Sequence, residues 1–151
     1  MDRDPARRGD RPRLTRVGEP DAVENTEGAP TETLFGAQPR VFAHVVERDR
    51  TIVGIALWFI TSSTWTGRHG IWLEDLYVDD DQRGHGDGRA LIATLAALCV
   101  DAGYSRLEWT VLDWNEPAIG FYRSIGASPL DEWTTQRMTG DALRTLAQRA
   151  R

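Results

Sequence analysis

The chain contains no lysine, and all 18 of its Lys+Arg residues are arginine. Every chemistry that needs a lysine within the chain is thereby excluded, including the phosphate-binding lysine of a P-loop, a Schiff-base lysine and a Ser-x-x-Lys nucleophile. A lone cysteine, Cys99, rules out an intramolecular disulfide. It lies in the apolar run Leu95-Ala96-Ala97-Leu98-Cys99-Val100 and reads as a small buried hydrophobe. No apolar stretch reaches the roughly 20 residues of a membrane span. The start, Met1-Asp2-Arg3-Asp4-Pro5, lacks the apolar middle of a signal peptide. The expectation is a soluble, cytoplasmic protein without a membrane partner. His44, His69, His85 and the single cysteine have no metal spacing. Asp79 and Asp81 begin like a calcium loop, but Arg83 stands at the next ligand position. No Gly-x-Ser-x-Gly elbow is present, so neither a metal nor a serine hydrolase is expected.

With 151 residues, 40% of them hydrophobic, the chain is of single-domain size and can bury a real core. Its 23 acidic residues give a net charge of -5, which argues against nucleic-acid binding and favours cationic small molecules. The charge is unevenly spread. Residues 1–20 hold six Arg against four acids, residues 21–40 one Arg against four acids, and the remainder 11 Arg against 15 acids. The first block is rich in Arg, Pro, Gly and Asp and has too few apolar groups to offset the entropy of ordering. Residues 1–29 are therefore predicted to be disordered or foreign to the fold, with a folded domain over 30–151.

Along that domain, Thr31 to Phe35 suits one helical turn ended by Gly36. Strands are predicted over Arg40 to Glu47 and Thr51 to Thr61, joined by a hairpin at Arg48-Asp49-Arg50, and over Gly70 to Val78. After the polar Asp79-Asp80-Asp81-Gln82 comes a loop, Arg83-Gly84-His85-Gly86-Asp87-Gly88. A helix follows with Leu91, Leu95, Leu98, Cys99 and Ala102 at helical spacing, closed by Gly103. Leu107, Trp109 and Val111 alternate with polar residues as in a strand. Asn115 suits a helix N-cap, with Pro117 in the first turn, Phe121, Tyr122 and Ile125 on one side, and Gly126 as terminator. Leu130 to Met138 reads as a last strand, and Thr139 as the cap of a terminal helix carrying Leu143 and Leu146. The fold class is mixed α/β, an antiparallel meander followed by a strand-helix-strand crossover.

Three glycines between a strand and a helix let bare backbone N–H groups point at an anion while the helix N-terminus adds partial positive charge. By itself Gly-x-Gly-x-Gly does not decide among uses. It lacks the Gly-x-Gly-x-x-Gly spacing of a dinucleotide fingerprint and the lysine of a P-loop, and a plain turn remains open.

Taken with the strand Leu73-Glu74-Asp75-Leu76-Tyr77-Val78 before it and Trp114-Asn115-Glu116-Pro117-Ala118-Ile119-Gly120-Phe121-Tyr122 after it, the loop Arg83-x-x-Gly86-x-Gly88 resembles the GNAT superfamily of N-acetyltransferases. Within it, the likeness is to the diamine (spermidine/spermine) and thialysine acetyltransferases, from about Thr31 to the last helix. The resemblance implies the acyl-CoA N-acyltransferase fold, a central, mostly antiparallel sheet with flanking helices. It also implies acetyl-CoA as cosubstrate and a homodimer. The backbone of Leu76, Tyr77 and Val78 would pair with the pantetheine arm. Arg83, Gly84, His85, Gly86, Asp87, Gly88 and Arg89 would hold the pyrophosphate, and Asn115, Glu116, Pro117 and Ala118 would touch the cofactor near the exit. Glu74 would help deprotonate the amine, Tyr122 would protonate the departing thiolate, and Glu108, Trp109 and Thr110 would line the acceptor side.

Elementary chemistry agrees in part. An alkyl amine of pKa about 10.4 is neutral in only about one molecule in 2,500 at pH 7, roughly 4.6 kcal/mol of cost, so a base has work to do. A carboxylate both attracts an ammonium and accepts its proton, and a phenol stays protonated at neutral pH and can donate to a thiolate. Adjacent strand residues point to opposite faces, so Glu74 and Asp75 share a site only if a bulge intervenes.

Two features depart from the family pattern. In place of the strand and helix that the resemblance implies ahead of Thr31 stands the Arg-rich block, as expected from either a displaced start codon or a truncated fold. Asp87 stands where relatives carry an aliphatic residue, and a carboxylate beside a pyrophosphate is unfavourable unless it points away or is paired. The expected function is acetyl transfer to a primary amine of a small cationic molecule such as a diamine, a polyamine or thialysine. A catalytically weak CoA-binding or dimerisation module, and an acetyltransferase for protein amines, are the alternatives.

Overall fold

The computed structural model describes residues 33–150. The predicted removal of residues 1–29 from the fold, and the strand and helix expected ahead of Thr31, lie outside those residues. Of the predicted first turn, residues 33–35 are helical. The elements that follow are β1 (Phe42–Arg48), β2 (Thr51–Ser63), β3 (Arg68–Val78), a 3-10 turn (Asp80–Gln82), α1 (Asp87–Asp101), β4 (Leu107–Glu108), α2 (Glu116–Ser124), α3 (Gly140–Ala147) and a final 3-10 turn (Gln148–Ala150). The described residues form two compact units, divided between Thr110 and Val111.

The first unit is a four-stranded sheet in the order β1-β2-β3-β4, with two antiparallel pairings and a parallel one between β3 and β4. Strand alternation in β2 puts Ala56 and Trp58 on the buried face, Ile71 and Leu73 of β3 join them, and Val53, left unpaired where the β1–β2 register shifts, is buried as well. Helix α1 covers this face because Leu91, Ile92, Leu95 and Cys99 recur at helical spacing and are all buried. Cys99 is thus a core residue, as its neighbours in the sequence imply, and burial pushes its thiol pKa up. A second layer of order comes from Trp58, whose indole N–H donates to His44 Nδ1 at 3.0 Å while Phe42 stacks on its ring at 4.7 Å.

Two corrections concern strands. The one expected through Val111 pairs with β3 only at Leu107 and Glu108, opposite Ile71 and Trp72. The approach there is close: a Cβ on Gly70 would lie 2.7 Å from Arg106 Cγ, so only glycine fits. Beyond Trp72 the partner strand β3 bulges, and a parallel neighbour cannot stay in register with a kinked strand. The strand expected over Leu130 to Met138 is absent. The backbone turns instead, Trp133 N–H donating to Leu130 C=O at 3.1 Å, and this unit contains no other strand among the described residues to take its hydrogen bonds. Thr139 precedes the terminal helix as expected, without a side-chain capping bond.

The β1–β2 hairpin closes on a two-residue tip, Asp49-Arg50, between the paired Arg48 and Thr51. Both tip residues are left-handed, with φ of 50° and 62°. Such a turn matches the twist of the strands but favours Asn-Gly or Asp-Gly, since an L side chain there costs roughly 1–2 kcal/mol. Arg50→Gly is therefore expected to raise stability by about 0.5–1 kcal/mol, after allowing for the extra freedom glycine gains when unfolded. Urea denaturation checks this, and a loss of stability would show that the Arg50 side chain makes a compensating contact.

Candidate active site

The chain after β3 runs through the 3-10 turn into the glycine loop. Gly84 and Gly86 have φ of 86° and 88°, and open space surrounds the position of a Cβ on each. Gly86 caps α1, whose first intrahelical bond is Ala90 N–H to Gly86 C=O at 2.9 Å. The amides of Gly86, Asp87 and Gly88 precede that bond and have no helical acceptor, so bare N–H groups gather at the positive end of a 15-residue helix. This backbone fits a pyrophosphate.

The loop's side chains are held by neighbouring groups of the protein. Arg83 folds back onto β3, its Nε–H donating to Val78 C=O at 3.1 Å and its guanidinium pairing with Asp80 at 2.9 Å. His85 Nδ1 lies 2.8 Å from Gln82 C=O. A carbonyl only accepts, so Nδ1 carries the proton and Nε2 of the neutral ring is an acceptor. Asp87 is paired: Arg48 at the end of β1 donates to its carboxylate at 3.0 Å, and the Asp87 side chain is only 13% exposed. That meets the condition under which a carboxylate is tolerable at this place.

The face that the resemblance assigns to the acceptor is built on a bulge. In the β2–β3 ladder Leu57 faces Asp75 and Trp58 faces Leu73, which leaves Glu74 as an inserted residue. Trp72 lies opposite Phe59 on the face away from the core, with ring centroids 6.4 Å apart. Glu74, two residues on, shares that face, and its Oε2 accepts from the Trp72 indole N–H at 2.9 Å. Asp75 opposes Leu57, which also points away from the buried Ala56 and Trp58. Both carboxylates therefore share one face beside two aromatic rings. The bulge that Glu74 and Asp75 require to share a face is present, and it brings Asp75 and Trp72 beside Glu74.

After the bulge, Leu76, Tyr77 and Val78 continue along β2, and among the described residues no strand pairs with their other edge. Asp79 N–H donates to Val53 C=O at 2.9 Å on the β2 side, so alternation turns the amides of Leu76 and Val78 outward. An extended amide chain such as pantetheine can be paired there. Glu108 is held by Arg106 at 2.7 Å, and Trp109 and Thr110 lie just past the end of β4.

In the second unit, Asn115 caps α2 as its sequence implies, its Oδ1 accepting from Ala118 N–H at 3.3 Å, with Glu116 and Pro117 in the first turn. Tyr122 lies two turns into this helix, half-buried, next to Phe121 at 5.3 Å between centroids. Burial pushes its phenol pKa above 10.0, so it stays protonated at neutral pH.

Burial first, and then the charge of Glu74, hold the Asp75 carboxyl above its ordinary value of 3.8. A carboxyl whose pKa is raised by folding supports the fold while protonated, below about 3.8, and that support is lost as pH rises through the raised value. Asp75→Asn is accordingly expected to stabilise the protein at pH 7 and to give no gain at acid pH below 3.8. Denaturant titrations at both pH values test this, and an equal gain at both would assign the effect to packing.

Comparison with known proteins agrees with these features. The Acetyltransferase (GNAT) family pattern matches residues 12–127, reaching upstream of Pro30 into the Arg-rich block. Thialysine N-epsilon-acetyltransferase of Sus scrofa is 37% identical over 138 residues, covering 84% of this chain and 81% of the relative. L-ornithine N5-acetyltransferase of Arabidopsis thaliana is 36% identical over 98 residues, 65% of this chain and 43% of that one. Among solved structures, an integron cassette protein from the mobile metagenome of V. cholerae superposes with a TM-score of 0.73 at 28% identity, over 82% of this chain and 79% of its own. With the family pattern spanning most of the chain and the sheet, bulge and glycine loop in place, this chain is a member of the GNAT acetyltransferase family.

Proposed function

We propose that the protein transfers an acetyl group from acetyl-CoA to a primary amine of a small cationic molecule of the diamine, polyamine or thialysine class. The observation that carries this reading is the pair of carboxylates, Glu74 and Asp75, brought to one aromatic-bearing face of β3 by the bulge. A site of that composition attracts ammonium groups and repels anions, and the rings of Trp72 and Phe59 add cation–π affinity. The names of the matched thialysine and ornithine acetyltransferases point the same way for the acceptor.

Acetyl-CoA supplies an activated thioester acyl group. The chain's own groups do the rest. The outward amides of Leu76 and Val78 hold and align the arm, and the loop amides from Gly84 to Gly88 neutralise the pyrophosphate. Glu74 Oε1 is the carboxylate oxygen not engaged by Trp72, and it takes the ammonium proton directly or through a water molecule, releasing the lone pair that attacks the thioester carbonyl. The C–S bond breaks as the new C–N amide bond forms. The Tyr122 hydroxyl gives its proton to the departing sulfur, a role for which its burial keeps it ready at neutral pH, and the second proton that the nitrogen loses on becoming an amide restores the phenol directly or through water.

Calorimetric titration with acetyl-CoA followed by thiol-release assays over diamines, polyamines, thialysine and peptides tests the proposal. Cofactor binding without turnover on any amine would replace it with a binding module, and turnover on peptides alone would make the acceptor a protein. Glu74→Gln is expected to lower kcat/KM for the amine by about 100-fold or more, and Tyr122→Phe to lower kcat by a similar factor with acetyl-CoA affinity unchanged. Unaltered turnover in either variant would remove that residue from the mechanism.

A further inference from the structure

The glycine loop has little in itself to keep its shape. Gly84 and Gly86 are left-handed, their surroundings are open, and an unrestrained run of this kind samples many backbone states. Arg83, the loop's first side chain, is committed to Val78 and Asp80. A residue far away in sequence spans the loop instead. Arg48, the last residue of β1, donates from Nη1 to the Gln82 side-chain carbonyl and from Nη2 to Asp87 Oδ2 at 3.0 Å and Oδ1 at 3.3 Å. Gln82 ends the 3-10 turn and Asp87 begins α1, so one planar guanidinium joins the two ends of the segment whose amides face the anion. The same Gln82 uses its backbone carbonyl to hold His85 within the loop.

From this geometry we infer that Arg48 is a positioning residue for cofactor binding, a clip that preorganises the glycine loop, with Asp87 and Gln82 as its two anchors. The inference rests on the reading of this loop as the pyrophosphate site. A lysine cannot replace the clip, because a single ammonium lacks the fork that reaches both anchors at once. Asp87 gains a purpose as well. A carboxylate in the first turn of a helix suits the helix dipole but competes with a bound anion, and the Arg48 charge cancels that competition while fastening the helix start. The left-handed tip at Asp49-Arg50 ends the strand at the residue that makes the clip.

The test separates ordering from simple charge. CoA binding is measured by titration calorimetry for the native protein, Arg48→Met, Arg48→Lys and the double variant Arg48→Met/Asp87→Ile, with thermal melting to verify the fold. Arg48→Met is expected to weaken CoA binding about ten-fold through lost preorganisation, and Arg48→Lys to recover only part of it. The double variant carries neither charge, so restored affinity would show that only the exposed carboxylate mattered and would overturn the clip. Continued weakness supports it. In turnover, the KM for acetyl-CoA should rise while kcat and the amine KM at saturating acetyl-CoA hold. A fall in kcat alone would also overturn it. Should Arg48→Met fail to fold, Gln82→Leu frees one end of the loop and keeps the ion pair, and native affinity in that variant sinks the proposal. Failure of the native protein to bind CoA would instead remove the cofactor-loop reading itself, and the clip with it.

Discussion

One inserted residue in β3 governs the site. With Glu74 added between the pairs Trp58–Leu73 and Leu57–Asp75, the side-chain alternation of the strand slips by one. Before the slip, Ile71 and Leu73 point into the core and Trp72 away from it; after it, Leu76 lies opposite buried Ala56 and Asp75 keeps company with Trp72 and Glu74. A regular strand would have to give up either the second carboxylate or a core residue. The same kink parts β3 from β4 after two paired residues and leaves the backbone of Leu76 to Val78 for an amide-bearing arm. The acceptor recognition, base placement and cofactor pairing proposed above thus all rest on one break in a ladder.

The anion end is organised by arginine. In a chain without lysine, cationic contacts come as planar forks, and these serve structure: Arg48 across the ends of the glycine loop, Arg83 against the end of β3, Arg106 on Glu108. In the proposed cofactor complex the phosphate is left to backbone amides and the dipole of α1, groups whose charge cannot titrate and which lose no side-chain freedom on binding. The acidic surplus of the chain is compatible with a polyanionic cosubstrate because the carboxylate nearest the cradle is neutralised by its partner.

Elements with a local cause are legible in the sequence. The hairpin at Arg48-Asp49-Arg50, the glycine-opened helix with Leu91, Leu95 and Cys99, and the Asn115-capped helix are each specified by neighbours a few residues apart. The strands expected through Val111 and over Leu130 to Met138 have the right residue types, but a strand exists only where another chain segment accepts its hydrogen bonds, and no local pattern reports that. The site divides likewise. Motifs point to Glu74, the loop and Tyr122, whereas strict two-residue alternation sends Asp75 to the face opposite Glu74 and only the bulge brings it back. The pairing of Asp87 with Arg48 joins residues 39 apart in sequence, and nothing near either residue announces it.

By itself the sequence determined the first three strands, the helices, the glycine loop that opens α1, the buried state of Cys99 and the exclusion of lysine chemistry, because these depend on composition and on periodicities of two to four residues. Tertiary structure decided where β3 slips, which carboxylates meet, how short β4 is and what steadies the loop. Those outcomes depend on long-range register, and a shift of a single residue in one strand reassigns every side chain that follows it.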